Sequence, residues 1–360
     1  MSVRSSRFSS VAVIMAGGIG ERFWPRTSEE TPKYALRLER GETFLARTFL
    51  RLRPVFGRDR IHVVTTGPQV KLARRLIPQL PRSRILAEPC RRNTAGAVTL
   101  AHVLLKRRYG AEAVISFFPA DHLIQKQEIF HRLVRTALRL AYESDRLVLF
   151  GIRPTGPATG FGYIERGEPL RFGHGASRVK RFVEKPHEKS AERFLSSGRF
   201  LWNSGIFTWK MRVFEEEMRR HAGSYLKRFE TAMGRHGLKR AKLREVYRLI
   251  RSLPIDKLLM EKSDRLVVFP CDLGWDDLGS WDALRRAGSG RDGNVIPKRA
   301  VRDDVTGSYV SLEPGSRIVM AGVHDLVLVQ AGKDFLICHR KRSQDVAKLR
   351  ALLAIRRAGT

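Results

Sequence analysis

The sequence is short of cysteine. Cys90, Cys271 and Cys338 are all it has in 360 residues, far apart and odd in number. No C-x-x-C pair occurs, so neither a disulfide framework nor a zinc site is expected, and a reducing cytoplasm suits such a chain. No apolar run reaches the roughly 18 residues of a membrane span, so no membrane partner is expected. The first ten residues are rich in Arg and Ser, but the apolar run at 11–16 behind them is too brief for a signal peptide. They read as a frayed start before a first strand. No internal repeat and no low-complexity linker is visible. Acids are scarce, with 36 Asp plus Glu against 68 Lys plus Arg and a net charge of +32. Such an excess can mark nucleic-acid binding. Here the charges are spread along segments such as 235–251 among apolar residues. No basic tail stands apart and no nucleic-acid motif appears, so no nucleic-acid partner is expected.

What is present is an alternation. Apolar runs at 11–16, 61–65, 84–87, 113–118 and 147–151 read as strands. Helical patterns at 43–52, 69–76, 94–108 and 129–144 fall between them, with Asn93 or Thr94 as the cap of the third. Strand-then-helix order implies an α/β fold, with a Rossmann-like, mixed but mostly parallel sheet flanked by helices. The strand runs are continuous, as for strands buried on both faces. Beyond residue 154 come extended pieces at 179–183, 205–210 and 266–270 and long basic helices at 213–235 and 238–252. From about 291 the pattern changes to short strands at 294–296, 309–312, 316–321, 326–330 and 335–339, closed by a helix at 343–353. Two domains are expected, 1–290 and a small β-rich unit at 291–360 with a terminal helix.

Several clusters carry chemistry. Ala16-Gly17-Gly18-Ile19-Gly20-Glu21-Arg22 follows the first strand, with Trp24-Pro25 and Pro32-Lys33 behind it. Adjacent glycines let backbone N–H groups approach phosphate oxygens. Arg22 offers a planar fork and Lys33 a further positive charge. A dinucleotide loop would need glycine where Phe23 stands, and no G-K-[ST] of a Walker loop occurs. Glu88-Pro89-Cys90-Arg91-Arg92-Asn93-Thr94-Ala95 enters a helix; by itself it reads as a cap or as hydrogen-bonding groups for a flat ligand edge. Asp121 in Pro119-Ala120-Asp121-His122 lies just past a buried strand, where open α/β sheets bind ligands. Its carboxylate suits Mg²⁺, and a helix cap is the alternative. Thr159-Gly160-Phe161-Gly162-Tyr163 and Glu184-Lys185 permit close sugar approach and phosphate neutralisation, or form a turn and a surface charge. Trp202-Asn203-Ser204-Gly205 and Gly274-Trp275-Asp276-Asp277-Leu278-Gly279-Ser280-Trp281 add an amide and paired acids.

Taken together and in this order, these blocks resemble the sugar nucleotidyltransferases over about 11–350. Gly17-Gly18-x-Gly20-x-Arg22-x-Trp24-Pro25 is similar to the version found in mannose-1-phosphate guanylyltransferases. The resemblance implies a nucleotidyltransferase, GT-A-like fold with a small β-rich C-terminal domain. It implies transfer of GMP from GTP to mannose 1-phosphate, giving GDP-mannose and pyrophosphate. It implies Mg²⁺ on Asp121 and Asp277, and triphosphate contacts from Ala16, Gly17, Gly18, Gly20, Arg22 and Lys33. Base contacts fall to Glu88, Asn93, Thr94 and Ala95. Sugar contacts fall to Thr159, Gly160, Gly162, Tyr163, Glu184 and Asn203, with Lys185 on the sugar phosphate. Pro254-Ile255-Asp256 and Met260-Glu261-Lys262 fit the same order of blocks. Two departures stand out: Tyr34 follows Lys33 where the family has Gln, and Ala158 precedes Thr159 where it has Glu. A guanylyltransferase for heptose or glucose 1-phosphate, and a silent nucleotide-sugar-binding homologue, are the competing readings. A homodimer is expected from exposed strand edges and the resemblance.

Overall fold

The computed structural model describes residues 8–37, 41–171, 174–234, 237–288, 290 and 292–358. Residues 1–7 of the frayed start expected over 1–10, Arg235 at the end of one expected helix, and Arg291 at the expected boundary lie outside them. In chain order the elements are β1 (Ser10–Met15), α1 (Phe44–Phe56), β2 (Ile61–Thr66), α2 (Val70–Leu76), β3 (Ile85–Glu88), α3 (Asn93–Tyr109), β4 (Val114–Pro119), β5 (Leu123–Ile124), α4 (Gln127–Ser144) and β6 (Leu147–Ile152). There follow β7 (Tyr163–Pro169), β8 (Ser177–Val183), α5 (Glu188–Ser196), β9 (Phe200–Lys210), α6 (Met211–Thr231), β10 (Met233–Gly234), β11 (Gly237–Leu238), α7 (Arg240–Leu249) and β12 (Leu266–Cys271). The chain ends with β13 (Trp275–Asp276), α8 (Trp281–Gly288), β14 (Val301–Thr306), β15 (Tyr309–Ser311), β16 (Val319–His324), β17 (Leu326–Ala331), β18 (Asp334–His339) and α9 (Val346–Ala358).

The chain divides into two compact units. Met1–Gly17, Thr48–Ala120 and Ile124–Trp275 form the first; Gly18–Arg47, Asp121–Leu123 and Asp276–Thr360 form the second. The second unit therefore takes in all of 291–360 and adds the stretch that follows Gly17.

The first unit is built on a nine-stranded sheet in the order β3-β2-β1-β4-β9-β6-β12-β8-β7. Strands β1, β2, β3 and β4 pair in parallel, as do β6 and β12, while β9 and β8 run against their neighbours. The sheet is mixed: among the described residues its pairings are four parallel and five antiparallel. The expected mostly parallel pairing holds for β3-β2-β1-β4 and β6-β12, and the antiparallel β9, β8 and β7 interrupt it. β2 and β6 are buried at every position, because both faces are covered. α3 lies against β1, β2 and β3, and α4 against β4, β6 and β9. α4 turns Phe130, Val134, Ala137, Leu138 and Ala141 inward at helical spacing, which gives it one apolar face. Phe117, Trp209 and Phe214 are wholly buried, with ring centres 5.2 Å and 4.7 Å apart in sequence order. Truncating one of these rings to alanine costs about 3–5 kcal/mol.

The second unit packs Phe23 and Trp281 against Val327, Val329, Leu336 and Val346. Their rings meet edge-on at 5.0 Å, and the Trp281 indole N–H donates to the Trp24 carbonyl at 3.2 Å. These contacts tie the stretch after Gly17 to the C-terminal strands. There β14 pairs in parallel with β16, and β15 with β17.

Several elements differ from expectation. Residues 294–296 form only an isolated bridge at Val295, and the expected strand at 316–321 begins later, as β16. β14 (VRDDVT) was not expected, because its exposed side chains mix charged and apolar types and only Val305 is buried. The expected strand at 205–210 is the second half of β9. α6 stops at Thr231 and is broken at Ala222, where φ is −150°.

Candidate functional site

The Gly-rich segment begins where β1 ends. The Ala16 N–H donates to Val64 at 2.9 Å, and the Thr65 hydroxyl donates to the Ala16 carbonyl at 2.7 Å. The Gly17 carbonyl accepts from Arg91 Nε at 3.1 Å, and a Cβ on Gly17 would lie 3.9 Å from Glu88 Oε2. Gly17, Glu88 and Arg91 are thus brought together in the first unit.

In the second unit, Gly20 adopts φ +77°, and a Cβ there would sit 2.4 Å from Lys33 Cβ. Only glycine satisfies both demands. The Lys33 N–H donates to Ile19 at 2.8 Å, which closes the loop over the lysine. A Cβ on Gly18 would meet nothing within 4 Å, so that backbone is open to a ligand. Arg22 is exposed and has no hydrogen bond or ion pair among the described residues. Phe23 fills the position of a dinucleotide loop's last glycine because its ring belongs to the core.

Lys33 is 7% exposed. Its Nζ lies 2.8 Å from Asp121 Oδ2 and donates to the Asp277 main-chain carbonyl at 2.7 Å. Asp277 Oδ1 accepts the Gly279 N–H at 3.1 Å. Burial pushes the Asp277 carboxyl up, the Lys33 ammonium opposes this, and Asp276 and Asp121 add to it. Burial also acts to raise Asp121, but Lys33 and His122 together bring it below the usual carboxylate range. Among the described residues no group of three His, Cys, Asp or Glu could hold a metal. Two hard carboxylates still fit Mg²⁺, which usually keeps several waters and takes one or two protein carboxylates plus phosphate oxygens.

Glu88 ends β3 and is 4% exposed. Burial pushes its carboxyl up to about 7, against the Tyr247 hydroxyl, which donates to Oε1 at 3.1 Å, and the Arg91 charge. The expected cap of α3 is not formed. Asn93 stands at φ +59° with its Oδ1 on the Thr94 N–H, and the Thr94 hydroxyl accepts from the Ile255 N–H at 2.8 Å. The Ala95 N–H donates to Leu253 at 3.1 Å. The helix start is satisfied by the 253–255 segment instead of a side-chain cap, and Thr94 and Ala95 turn their polar groups to it.

The residues expected to contact the sugar lie in the first unit. A Cβ on Gly162 would come within 2.8 Å of Glu184 Oε2, so glycine is what admits the carboxylate. The Gly162 carbonyl accepts the Asn203 N–H at 2.8 Å, and Asn203 Nδ2 donates to Asp256 Oδ1 at 2.8 Å. The Glu184 N–H donates to Glu261 Oε1 at 2.9 Å. Asp256 opens a five-residue π-helical turn, a rare geometry that recurs at functional sites. Burial, then the neighbouring Glu184 charge, hold the Asp256 carboxyl well above its ordinary range. Glu184 is raised too, chiefly by burial, with Lys185 opposing and Glu261 adding. Lys185, at φ +49°, keeps 62% of its side chain exposed, with Nζ 3.7 Å from Glu184 Oε1. Thr159 and Gly160 form an exposed turn, beside which the Phe161 ring meets Trp202 at 4.9 Å and Trp275 at 5.3 Å. Tyr163 departs from expectation: its ring is wholly buried against Phe194 and Phe200 and presents no face to a sugar. Tyr247, Asp256 and Glu261 were given no role from the sequence. The blocks holding Asp256 and Glu261 were the available signal.

The nucleotidyl transferase family model matches residues 11–291. The mannose-1-phosphate guanylyltransferase of Escherichia coli is 32% identical over 352 residues, covering 94% of this chain and 74% of its own length. The xanthan biosynthesis protein XanB of Xanthomonas campestris is 35% identical over 345 residues, covering 94% and 72%. A solved structure described as mannose-1-phosphate geranyltransferase from Thermus thermophilus superposes with a TM-score of 0.85 at 33% identity, covering 96% of this chain and 100% of that one.

Proposed function

The chain belongs to the nucleotidyl transferase family, and we propose that it transfers GMP from GTP to mannose 1-phosphate, giving GDP-mannose and pyrophosphate. Relatives named for mannose-1-phosphate guanylyltransfer, 32–34% identical to this chain, support the choice of substrates. The observation that carries the chemistry is that the buried Lys33 ammonium meets both the Asp121 carboxylate and the main-chain carbonyl of Asp277. A sugar-phosphate oxygen attacks the α-phosphorus of the nucleotide and pyrophosphate leaves. The nucleophile is already an anion near neutral pH, so no strong general base is needed. Positioning and charge neutralisation are the catalytic work.

Sugar nucleotidyltransferases generally depend on a divalent metal. In our reading Asp121 and Asp277 hold Mg²⁺, which when bound stabilises charge on the phosphoryl group. Gly17, Gly18 and Gly20 present backbone N–H groups to the triphosphate. Arg22 takes the pyrophosphate oxygens with its free fork, and Lys33 adds charge as its ion pair with Asp121 rearranges. Glu88, protonated or ionised near neutrality, lies beside Gly17 to meet the base edge, with Asn93 exposed nearby in sequence. Glu184 and Asn203, backed by Asp256, grip sugar hydroxyls, and Lys185 meets the sugar phosphate. No helix among the described residues is long and apolar enough to cross a membrane. We place the reaction in the cytoplasm. We also propose a homodimer, supported by the exposed Phe335 and Ile337 of the edge strand β18; a monomer by light scattering across micromolar concentrations removes it.

The test is pyrophosphate release with Mg²⁺, offering GTP, ATP, UTP and dTTP, each with mannose 1-phosphate and glucose 1-phosphate. Release confined mainly to GTP with mannose 1-phosphate is expected. Release only with another sugar phosphate moves the substrate. No release from folded protein that binds a nucleotide sugar makes the chain a silent homologue.

A further inference from the structure

The parallel strands of the large sheet have two ends. Ala16 and Gly17 leave the C-terminal end of β1. At the opposite end, where β6 and β12 start, Arg146, Arg178, Arg220 and Arg265 surround a hollow of about 550 Å³ together with Asp145 and Asp264. Arg146 directly precedes β6 and Arg265 directly precedes β12. Leu147 and Leu266 are paired in register, and the Leu147 N–H donates to the Arg265 carbonyl at 3.1 Å. Arg178 on β8 pairs with Val267 of β12. Three guanidinium stems therefore leave three adjacent strands whose backbones are fixed by the ladder.

Two of the four cations are already matched. Arg265 reaches Glu216 at 2.8 Å and Glu217 at 3.3 Å, and Arg220 reaches Asp264 at 3.2 Å. Asp145 is taken by Lys210 and Arg212, each at 2.7 Å. Arg146 and Arg178 have no ion-paired acid among the described residues. Burial, then the Arg178 and Arg265 charges, push the half-buried Arg146 guanidinium down, and the Asp264 charge opposes them. Four guanidiniums line the hollow against two acids, Asp145 and Asp264, which are already paired with Lys210, Arg212 and Arg220; the excess positive charge is unfavourable in the folded chain, and an anion would relieve it. A guanidinium binds phosphate through two parallel N–H bonds. The lining holds no aromatic ring, so it offers nothing for a base to stack on.

We propose that this hollow is a second anion site, which takes a small non-aromatic molecule carrying two phosphate charges on the forks of Arg146 and Arg178. Titration calorimetry of the whole chain with inorganic pyrophosphate, in metal-free buffer, tests it. Wild type should bind one more pyrophosphate per chain than R146A/R178A. The variant's Tm should equal or exceed that of wild type, because neither arginine holds an acid. R146K/R178K keeps the charge but loses the forks, and should weaken that site about tenfold. An equal number of bound pyrophosphates in wild type and R146A/R178A overturns the proposal. So does an unchanged affinity in R146K/R178K, which remains informative if the alanine pair fails to fold. Either failure leaves the proposed guanylyl transfer intact, because neither arginine belongs to that machinery.

Discussion

Asp121 and Asp277 share a buried lysine, whereas Glu184 and Asp256 gather round an asparagine with their lysine left outside. In the first cluster the Lys33 ammonium is 2.8 Å from Asp121 and brings that carboxyl below its ordinary range. In the second, Lys185 is mostly exposed, and both carboxyls are pushed up by burial. A buried acid avoids its charge either by acquiring a cation or by keeping its proton. The difference suits the two chemistries proposed. In the first cluster only Asp121 is cation-compensated, while burial leaves the Asp277 carboxyl raised, so Asp121 is the one ready to exchange its lysine contact for a metal and phosphate oxygens. A pair held toward the protonated form can donate and accept, which is what sugar hydroxyls require.

The change that should break this comparison most strongly is Lys33→Met, which would leave the first cluster without its resident cation. Removing one partner of a fully buried ion pair costs about 3–5 kcal/mol, and the loss here should be smaller, because Asp121 keeps 29% of its side chain exposed. The stranded carboxyls should then rise in pKa, as those of the second cluster do. A carboxyl raised in the folded state binds more protons folded than unfolded, so stability falls as pH rises through that window. Urea unfolding of the variant should show the larger loss at pH 8 and the smaller at pH 5. A loss of equal size at both pH values would mean that lysine, and not charge compensation, shapes the cluster. Next in size is Asp277→Asn. It removes one carboxylate while the amide oxygen can still accept the Gly279 N–H. Pyrophosphate release should fall about 10²–10³-fold in kcat, with Tm little changed. Unfolding of the variant under assay conditions would assign Asp277 a structural task instead.

The two clusters were not equally legible in the sequence. The alternation of the first half announced the parallel sheet, because strands buried on both faces leave unbroken apolar runs such as that of β6. Arg22, Lys33 and Asp277 stood out beside glycine-bearing turns, and Asp121 by its place just past a buried strand. The Lys33–Asp277 contact itself spans 244 positions, which no local pattern encodes. Asp256 lies in an ordinary-looking apolar stretch, and its role rests on a π-helical turn and on Asn203, 53 positions away. Tyr163 misled because an aromatic beside glycines suits a sugar equally well as it suits a core. The C-terminal strands carry no visible sequence repeat. In the structure, Val301 pairs with Val319 and Tyr309 with Val327, both offsets of 18 residues (319 − 301 and 327 − 309). That coil is backbone pairing between strands with little side-chain likeness, so self-similarity of sequence does not reveal it.

The smallest effect should be the one that sharpens the comparison. If Asp256 keeps a proton that the sugar site uses, the KM for sugar phosphate should rise as pH climbs through the raised range, because the newly charged carboxylate repels both Glu184 and the incoming phosphate. Burial and the Glu184 charge place that titration at about 7, so the window lies between pH 6 and 8. About a tenfold rise in KM is expected there for wild type, equivalent to one pKa unit of coupling. Asp256→Asn replaces the titrating group with an amide, which still offers an oxygen to Asn203 Nδ2. Its KM should stay within about threefold across the same range, with kcat nearly unchanged. The substrate's own titration is common to both proteins and cancels in the ratio. A KM slope identical in the two would remove the proton from Asp256, and the second cluster would then differ from the first only in where its lysine points.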